Sequence, residues 1–271
     1  MNPRLFFFTG KGGVGKTSYS LAYTAYLKSI GKNACYISFG ENANTALCTK
    51  LRVSYQKINV EGSLEKYLTK KLNSKTIASW LIKAPFVFSL FNIIPGLGQM
   101  ILLGHLIDML KADETLHLVI DSPASGHALT MFESTHNFLG VFQTGILAED
   151  LKEIHSYLQD PSVTQVFIIG LLTEMALNEA FELKKGLSSL ASMEKSEIII
   201  NDVYHLSKTL ESANEEDLPE ILNKKIDIEK NLVSSLDEEL HMTQHLLTLD
   251  LEQTVRELTP FMEKVYDQYS S

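Results

Sequence analysis

Gly10-Lys11-Gly12-Gly13-Val14-Gly15-Lys16-Thr17 fits the phosphate-loop pattern G-x-x-x-x-G-K-[ST] at every position. Glycines there let the backbone wrap, so that successive N–H groups from Gly10 to Ser18 point at phosphate oxygens. The positive end of the helix that follows strengthens the same field. Lys16 carries a point charge to β- and γ-phosphates, and the Thr17 hydroxyl completes the shell of a Mg²⁺ ion. The ligand of such a loop is a triphosphate with its magnesium. Lys11 is a second lysine, too early in the loop to reach phosphates that its own loop holds. Its position suits crossing a dimer interface to a partner's phosphates, as an arginine finger does in trans. The bland alternative is a solvated loop lysine.

Other residues join this loop through the ends of strands. Asp121 closes the apolar run Leu118-Val119-Ile120, and an acid placed there can bind the shell of the Mg²⁺. Gly126 can bring a backbone N–H close to the γ-phosphate without a side-chain clash. His127 has no ligand partner at metal spacing, and reads either as a relay of the switch state or as a structural side chain. Asn201 follows Ile198-Ile199-Ile200, at the strand end where open parallel sheets bind ligands. Its amide can pair with an adenine edge through a donor and an acceptor together. Asp202 is the weaker candidate beside it.

Alternating strand-like and helix-like segments are what must hold these residues in place, and they predict an α/β protein with a mostly parallel, doubly wound sheet. Strands are expected over residues 5–9, 34–38, 117–121, 166–170, 198–200 and 245–249, with helices over 15–30 and 251–266. Residues 44–111 break the rhythm and read as helical, so an inserted helical subdomain of about 55–111 is expected within a single domain of 1–271. Residues 84–107 carry no charge, a length that would span a bilayer. Pro95-Gly96 divides them into two shorter helices, 86–94 and 97–110, which favours buried or groove-lining helices.

The chain holds 24 Lys plus Arg against 33 Asp plus Glu, a net charge of −9, which argues against coating nucleic acid as its task. Two cysteines, Cys35 and Cys48, are too few for a disulfide scaffold and suit a reducing compartment. With no leader-like N-terminal segment recognised, a cytoplasmic protein is expected.

Lys11-Gly12-Gly13-Val14-Gly15-Lys16-Thr17 resembles the deviant Walker A motif of the ParA, MinD, nitrogenase iron protein and arsenite-pump ATPase (ArsA) class. Asp121-Ser122-Pro123-Ala124-Ser125-Gly126-His127 is similar to switch II of the ArsA branch, which includes the ATPase that targets tail-anchored membrane proteins. Pro95-Gly96-Leu97, residues 173–179 and Ile200-Asn201-Asp202 also look like ArsA-related segments. The resemblance implies ATP and Mg²⁺ as ligands, a nucleotide-sandwich homodimer with Lys11 acting across it, and adenine recognition by Asn201. One departure stands out. Switch I of that family carries an Asp that orients the attacking water, and Gly40 falls at its position in Ser38-Phe39-Gly40-Glu41-Asn42-Ala43-Asn44. Glu41 is the candidate base one residue on, and Asn44 a candidate phosphate contact. Two cysteines do not make the thiol cluster that arsenite activation uses, nor the paired Cys-x-x-Cys of a zinc-linked dimer.

These readings converge on an ATP-driven dimeric switch whose helical insert changes shape. Phe86, Phe88, Leu90, Phe91, Ile93, Ile94, Leu97, Met100, Ile101, Leu102 and Leu103 are expected either to offer an apolar helical client a surface or to bury as core. The alternatives are a ParA/MinD-like nucleotide-dependent scaffold with little or no hydrolysis, and an ATPase that contacts or enters a membrane through residues 84–107.

Overall fold

Leu5, Phe6, Phe7 and Phe8 are apolar in both directions, and a strand of that composition must be covered on two faces. A computed structural model describes residues 3–39, 45–84, 93–123, 125–142, 144–190, 196–207, 210, 218–236, 240–246, 248 and 250–270. It places that run, β1 (Leu5–Gly10), at the centre of the sheet. The other strands are β2 (Asn33–Phe39), β3 (Ser54–Ile58), β4 (Leu116–Asp121), β5 (Thr164–Leu171), β6 (Glu197–Val203) and β7 (His241–Gln244). The spatial order is β3-β2-β4-β1-β5-β6-β7, and every pairing among the described residues is parallel. All C-terminal strand ends therefore lie along one edge, with β4 and β5 beside β1.

Helices cover both faces. Leu5 and Phe7 point to one side, where they meet α5 (Leu97–Ala112), α6 (Ser125–Val141), α7 (Ile146–Gln159) and α8 (Glu174–Ser189). Phe6 and Phe8 point to the other, against α1 (Lys16–Ser29) and the last helix, α10 (Leu251–Ser270). The rings interlock: Phe7 lies 5.0 Å from Phe132, Phe6 4.9 Å from Tyr23 and Phe8 4.9 Å from Phe167. Each such fully buried side chain contributes about 1.5–3 kcal/mol, so β1 and the loop it feeds are set in the best-packed part of the molecule. Among the described residues the remaining helices are α2 (Thr45–Lys50), α3 (Val60–Leu72), α4 (Lys75–Ile82) and α9 (Glu220–Ser234), with a 3-10 turn at Tyr204–Leu206.

Several expectations shift. Residues 54–58 form β3 at the edge of the sheet, so the helical excursion begins at Val60 rather than near residue 55. That strand escapes the sequence because only its last residue, Ile58, is buried. The final strand is 241–244, not 245–249, and β6 runs on to Val203, so Asn201 and Asp202 sit inside the strand. The break at Pro95-Gly96 is real, and α5 starts at Leu97. Among the apolar residues proposed as a client surface, Leu102 and Leu103 belong to the main core. Ile101 packs against a small core of Leu64 and Ile82, and Ile94, Leu97 and Met100 pack with Phe138 and Leu151. Ile93 is 72% exposed. Phe86, Phe88, Leu90 and Phe91 lie outside the described residues, as does the start of the expected helix at 86–94. No helix among the described residues is long and apolar enough to cross a membrane.

Candidate functional site

The loop begins where β1 ends. Gly10 has φ 138°, and a Cβ there would lie 2.1 Å from the carbonyl oxygen of Ile169 on β5. Only glycine fits, because the turn out of the sheet grazes the neighbouring backbone. Gly15, at φ 104°, caps α1, and a Cβ there would come within 2.6 Å of the Asn201 amide nitrogen. Lys16 and Thr17 then form the first turn of α1, which aims the helix N-terminus at the loop.

β1 and β4 are paired with Phe8 opposite Asp121, so the acid arrives beside the loop. Thr17 donates its hydroxyl to Asp121 Oδ2 at 2.7 Å. Tyr36 on β2 donates to the same oxygen at 2.9 Å. Burial pushes the Asp121 carboxyl up from its ordinary range, while Thr17, Tyr36 and the Lys16 charge pull it back. Burial likewise lowers Lys16, offset in part by Asp121. The Lys16 ammonium is folded onto the Lys11 carbonyl oxygen at 2.8 Å. Both charges therefore sit partly desolvated.

The surrounding polar atoms tell the same story. The hydroxyls of Thr9, Ser38 and Ser122 are buried and have no hydrogen-bond partner among the described residues. Ser38 stands opposite Asp121 in the β2–β4 register, Thr9 lies at the C-terminal end of β1, and Ser122 comes directly after β4. Buried hydroxyls left without partners cost about 1–3 kcal/mol each, and such a cost is tolerable where a polar ligand shell completes them. The hard oxygen donors Thr17 and Asp121 fit Mg²⁺ in kind.

Asn201 is engaged by the protein itself. Its Nδ2 donates to the Val14 carbonyl at 3.0 Å, and its Oδ1 accepts from Tyr19 at 3.0 Å and Thr243 at 3.2 Å. Tyr19 and Thr243 are also bonded to each other. This side chain thus ties the phosphate loop to β6, β7 and α1. Asp202 has a left-handed backbone, φ 63°, at an irregularity between β6 and β7, a conformation that Asp tolerates better than most residues. Its carboxylate pairs with His245, whose ring stacks 3.9 Å from Tyr204. Lys225 covers the other face of Tyr204 at 3.4 Å, and Glu229, buried, accepts from the backbone N–H groups of Tyr204 and His205 at 2.8 and 2.9 Å. Tyr19, Tyr36, Thr243, His245 and Glu229 join the site through the fold alone. Their partners are far off in sequence, so no local motif marks them.

Lys11 is exposed and paired with Glu179 of α8 at 2.8 Å. Gly12, Gly13 and Val14 complete the loop, with Val14 buried in the core below it. Gly126 falls in the first turn of α6. Gly40, Glu41 and Asn44 lie outside the described residues. Cys35 and Cys48 are free thiols, and burial raises Cys35 to about 11 and Cys48 in the same direction, which keeps both protonated at neutral pH.

Two comparisons bear on this site. A curated protein described as putative arsenical pump-driving ATPase 2, from Aquifex aeolicus (strain VF5), is 28% identical over 166 residues. That match covers 55% of this chain and 54% of the Aquifex protein, so the chain spans about half the length of the relative it matches. The pattern that defines the anion-transporting ATPases matches residues 3–144, a stretch running from β1 through α6 and holding both the phosphate loop and Asp121. The chain therefore belongs to the anion-transporting ATPase (ArsA ATPase) family.

Proposed function

We propose that this chain binds ATP with Mg²⁺ in the loop of residues 10–18 and hydrolyses it as a switch between two subunit arrangements. The observation that carries this reading is the contact of Thr17 with Asp121 at 2.7 Å, which joins the helix N-terminus to the acid at the end of β4. Thr17 and Asp121 would hold Mg²⁺, which when bound offsets charge on the β- and γ-phosphates. The backbone N–H groups of the loop and the Lys16 ammonium orient the triphosphate, and Lys16 leaves the Lys11 carbonyl to do so. The N–H of Gly126 meets the terminal phosphate, and Asn201 and Asp202 border the base. Glu41 orients the water in place of the Asp missing at Gly40, with Asn44 beside the phosphate.

Two subunits close over the nucleotide, and Lys11 reaches across. The helices α3, α4 and α5 respond. A cleft of about 90 Å³, lined among others by Leu97, Met100, Ile101, Phe138 and Leu151, lies between α3, α5, α6 and α7. Lys71 bridges it to Asp150 at 2.7 Å. Its apolar lining supports an apolar helical client once that bridge parts. Calorimetry with Mg·ATP tests the binding half: heat that saturates in the wild type and an affinity at least ten-fold weaker in Lys16→Ala are expected, as loss of a charge-assisted phosphate contact implies. Equal affinity in the two proteins would sink the reading. Turnover of wild type against Glu41→Gln tests the hydrolytic half.

The second reading is a ParA/MinD-like scaffold that binds ATP and recruits a partner with little hydrolysis. Gly40 at the water-orienting position favours it. A wild type that binds but does not turn over ATP is the outcome that selects it.

A further inference from the structure

Lys11 is not loose in this structure. Its Nζ lies 2.8 Å from Glu179 Oε1, with the two side chains 45% and 38% exposed. The topology explains the meeting. Gly10 is opposite Ile169 in the β1–β5 pairing, and α8 follows β5. Gly10, Lys11 and Val14 thereby share one depression with Gly170, Ala176, Glu179 and Ala180. Thr173 caps α8 by accepting from Ala176 N–H at 3.3 Å, which fixes the helix that carries Glu179. The second carboxylate oxygen, Glu179 Oε2, is buried and has no hydrogen-bond partner among the described residues.

That carboxylate is only half used. One oxygen holds an ammonium, and the other is desolvated without a donor to offset the cost. Such a group keeps a cation when nothing better is near, and releases it to a stronger anion. A triphosphate, with several charges and three terminal oxygens, is the stronger anion. One ammonium cannot serve both at once.

We propose that Glu179 is a latch: it holds Lys11 against its own subunit and so raises the protein concentration at which two subunits close over ATP. This rests on the dimeric reading above. Glu179 touches no reacting atom and acts through Lys11, as a positioning residue. An exposed ion pair is a weak interaction, so the latch shifts the closing concentration by about two- to five-fold, not by orders of magnitude.

The test uses the full chain as wild type, Glu179→Gln, Glu179→Asp, Lys11→Ala and the Glu179→Gln/Lys11→Ala double variant. In the first arm, nucleotide-free protein meets a limiting amine-acetylating reagent, and acetylation of Lys11 is read by mass spectrometry against the other lysines. Severalfold faster labelling of Lys11 in Glu179→Gln, restored to the wild-type rate by Glu179→Asp, is expected. Equal rates in wild type and Glu179→Gln overturn the latch whatever nucleotide does.

In the second arm, sedimentation over a range of protein concentrations follows association with saturating Mg·ATP. Glu179→Gln is expected to reach half-dimer at a concentration two- to five-fold lower than wild type, and to change nothing when Lys11 is already alanine. If wild type dimerises and Glu179→Gln does so at the same or a higher concentration, the latch is wrong and the dimeric reading stands. If wild type binds ATP yet stays monomeric, the dimeric reading falls and the latch with it.

Discussion

Tyr36 and Thr17 donate to one and the same oxygen of Asp121, at 2.9 and 2.7 Å. Burial raises the pKa of that carboxylate, and these two hydroxyls and the Lys16 charge pull against the rise. Tyr36 is itself buried, and desolvation together with the neighbouring Asp121 pushes its phenol far above its ordinary pKa, so it stays a donor at any working pH. Removing only the hydroxyl is therefore a clean change. Tyr36→Phe keeps the packing of β2 against α1 and takes away one hydrogen bond to a charged group, worth roughly 1.5–3 kcal/mol. On the reading given above, Mg·ATP affinity is expected to fall about ten-fold, with thermal stability changed by less than the affinity. Calorimetric titration alongside a melt checks this, and an affinity within two-fold of wild type would show that Tyr36 does not hold the acid. Nothing in the linear sequence singles out Tyr36, because its role comes from the register that puts β2 beside β4.

Two joints between elements carry predictions of their own. The first is Asn201, whose amide links the loop carbonyl of Val14 to Tyr19 on α1 and Thr243 on β7. Asn201→Ala leaves Tyr19 and Thr243 bonded to each other but frees Val14, so a loss of about 1–3 kcal/mol in urea denaturation is expected, with a weaker apparent affinity for ATP from a loosened loop. No loss of stability would mean the tie is incidental. The second joint locks α3 to α5. Ser63 Oγ lies 2.8 Å from His105 Nδ1, and Lys66 Nζ lies 2.9 Å from Nε2. An ammonium only donates, so Nε2 accepts and Nδ1 carries the proton toward Ser63. Burial, with Lys66 adding to it, pulls His105 down from 6.5 to about 4. The unfolded chain then binds more protons than the folded one between those values. Stability is thus full above pH 6.5 and drains as pH falls toward 4. Burial lowers His117 and His155 as well, so they act in the same direction. His105→Gln is expected to lose stability at neutral pH and to flatten the decline between pH 6.5 and 4 by roughly 2 kcal/mol, read from urea midpoints at several pH values. A slope equal to wild type would show that His105 is not the group that titrates. The phosphate loop was legible because its chemistry is local: eight neighbours in one turn. Asn201 was legible only as a residue at the end of a strand, since the partners that define its work come from residues 14, 19 and 243. The edge strand β3, Ser-Tyr-Gln-Lys-Ile, hid because an edge needs no continuous apolar run, and β7 was misplaced because the apolar Leu246 and Leu247 outweigh His-Met-Thr-Gln on hydrophobicity alone.

At the scale of the whole molecule, the three layers divide the labour. The sheet with α1 and α10 forms a tight core around β1, while α3, α4 and the start of α5 pack through small clusters of their own. Elements joined to the rest by few buried side chains are those that move most readily. The chain has one tryptophan, Trp80, and it sits on α4 with 73% of its surface exposed, beside Ile77 on the same face at 54%. An indole so placed reports directly on what happens to this subdomain. If ATP closes two subunits and rearranges α3, α4 and α5, Trp80 changes surroundings although it lies outside the phosphate loop. Tryptophan emission is expected to shift to shorter wavelength on adding Mg·ATP, at protein concentrations where sedimentation shows association. The Lys16→Ala variant should show no shift, and Lys11→Ala should bind nucleotide yet shift only at higher protein concentration. A shift that follows nucleotide binding but not association would place the movement within one subunit. An emission spectrum unchanged while calorimetry shows the site filled would separate the nucleotide from the helices altogether, and the subdomain would then be a fixed part of the fold.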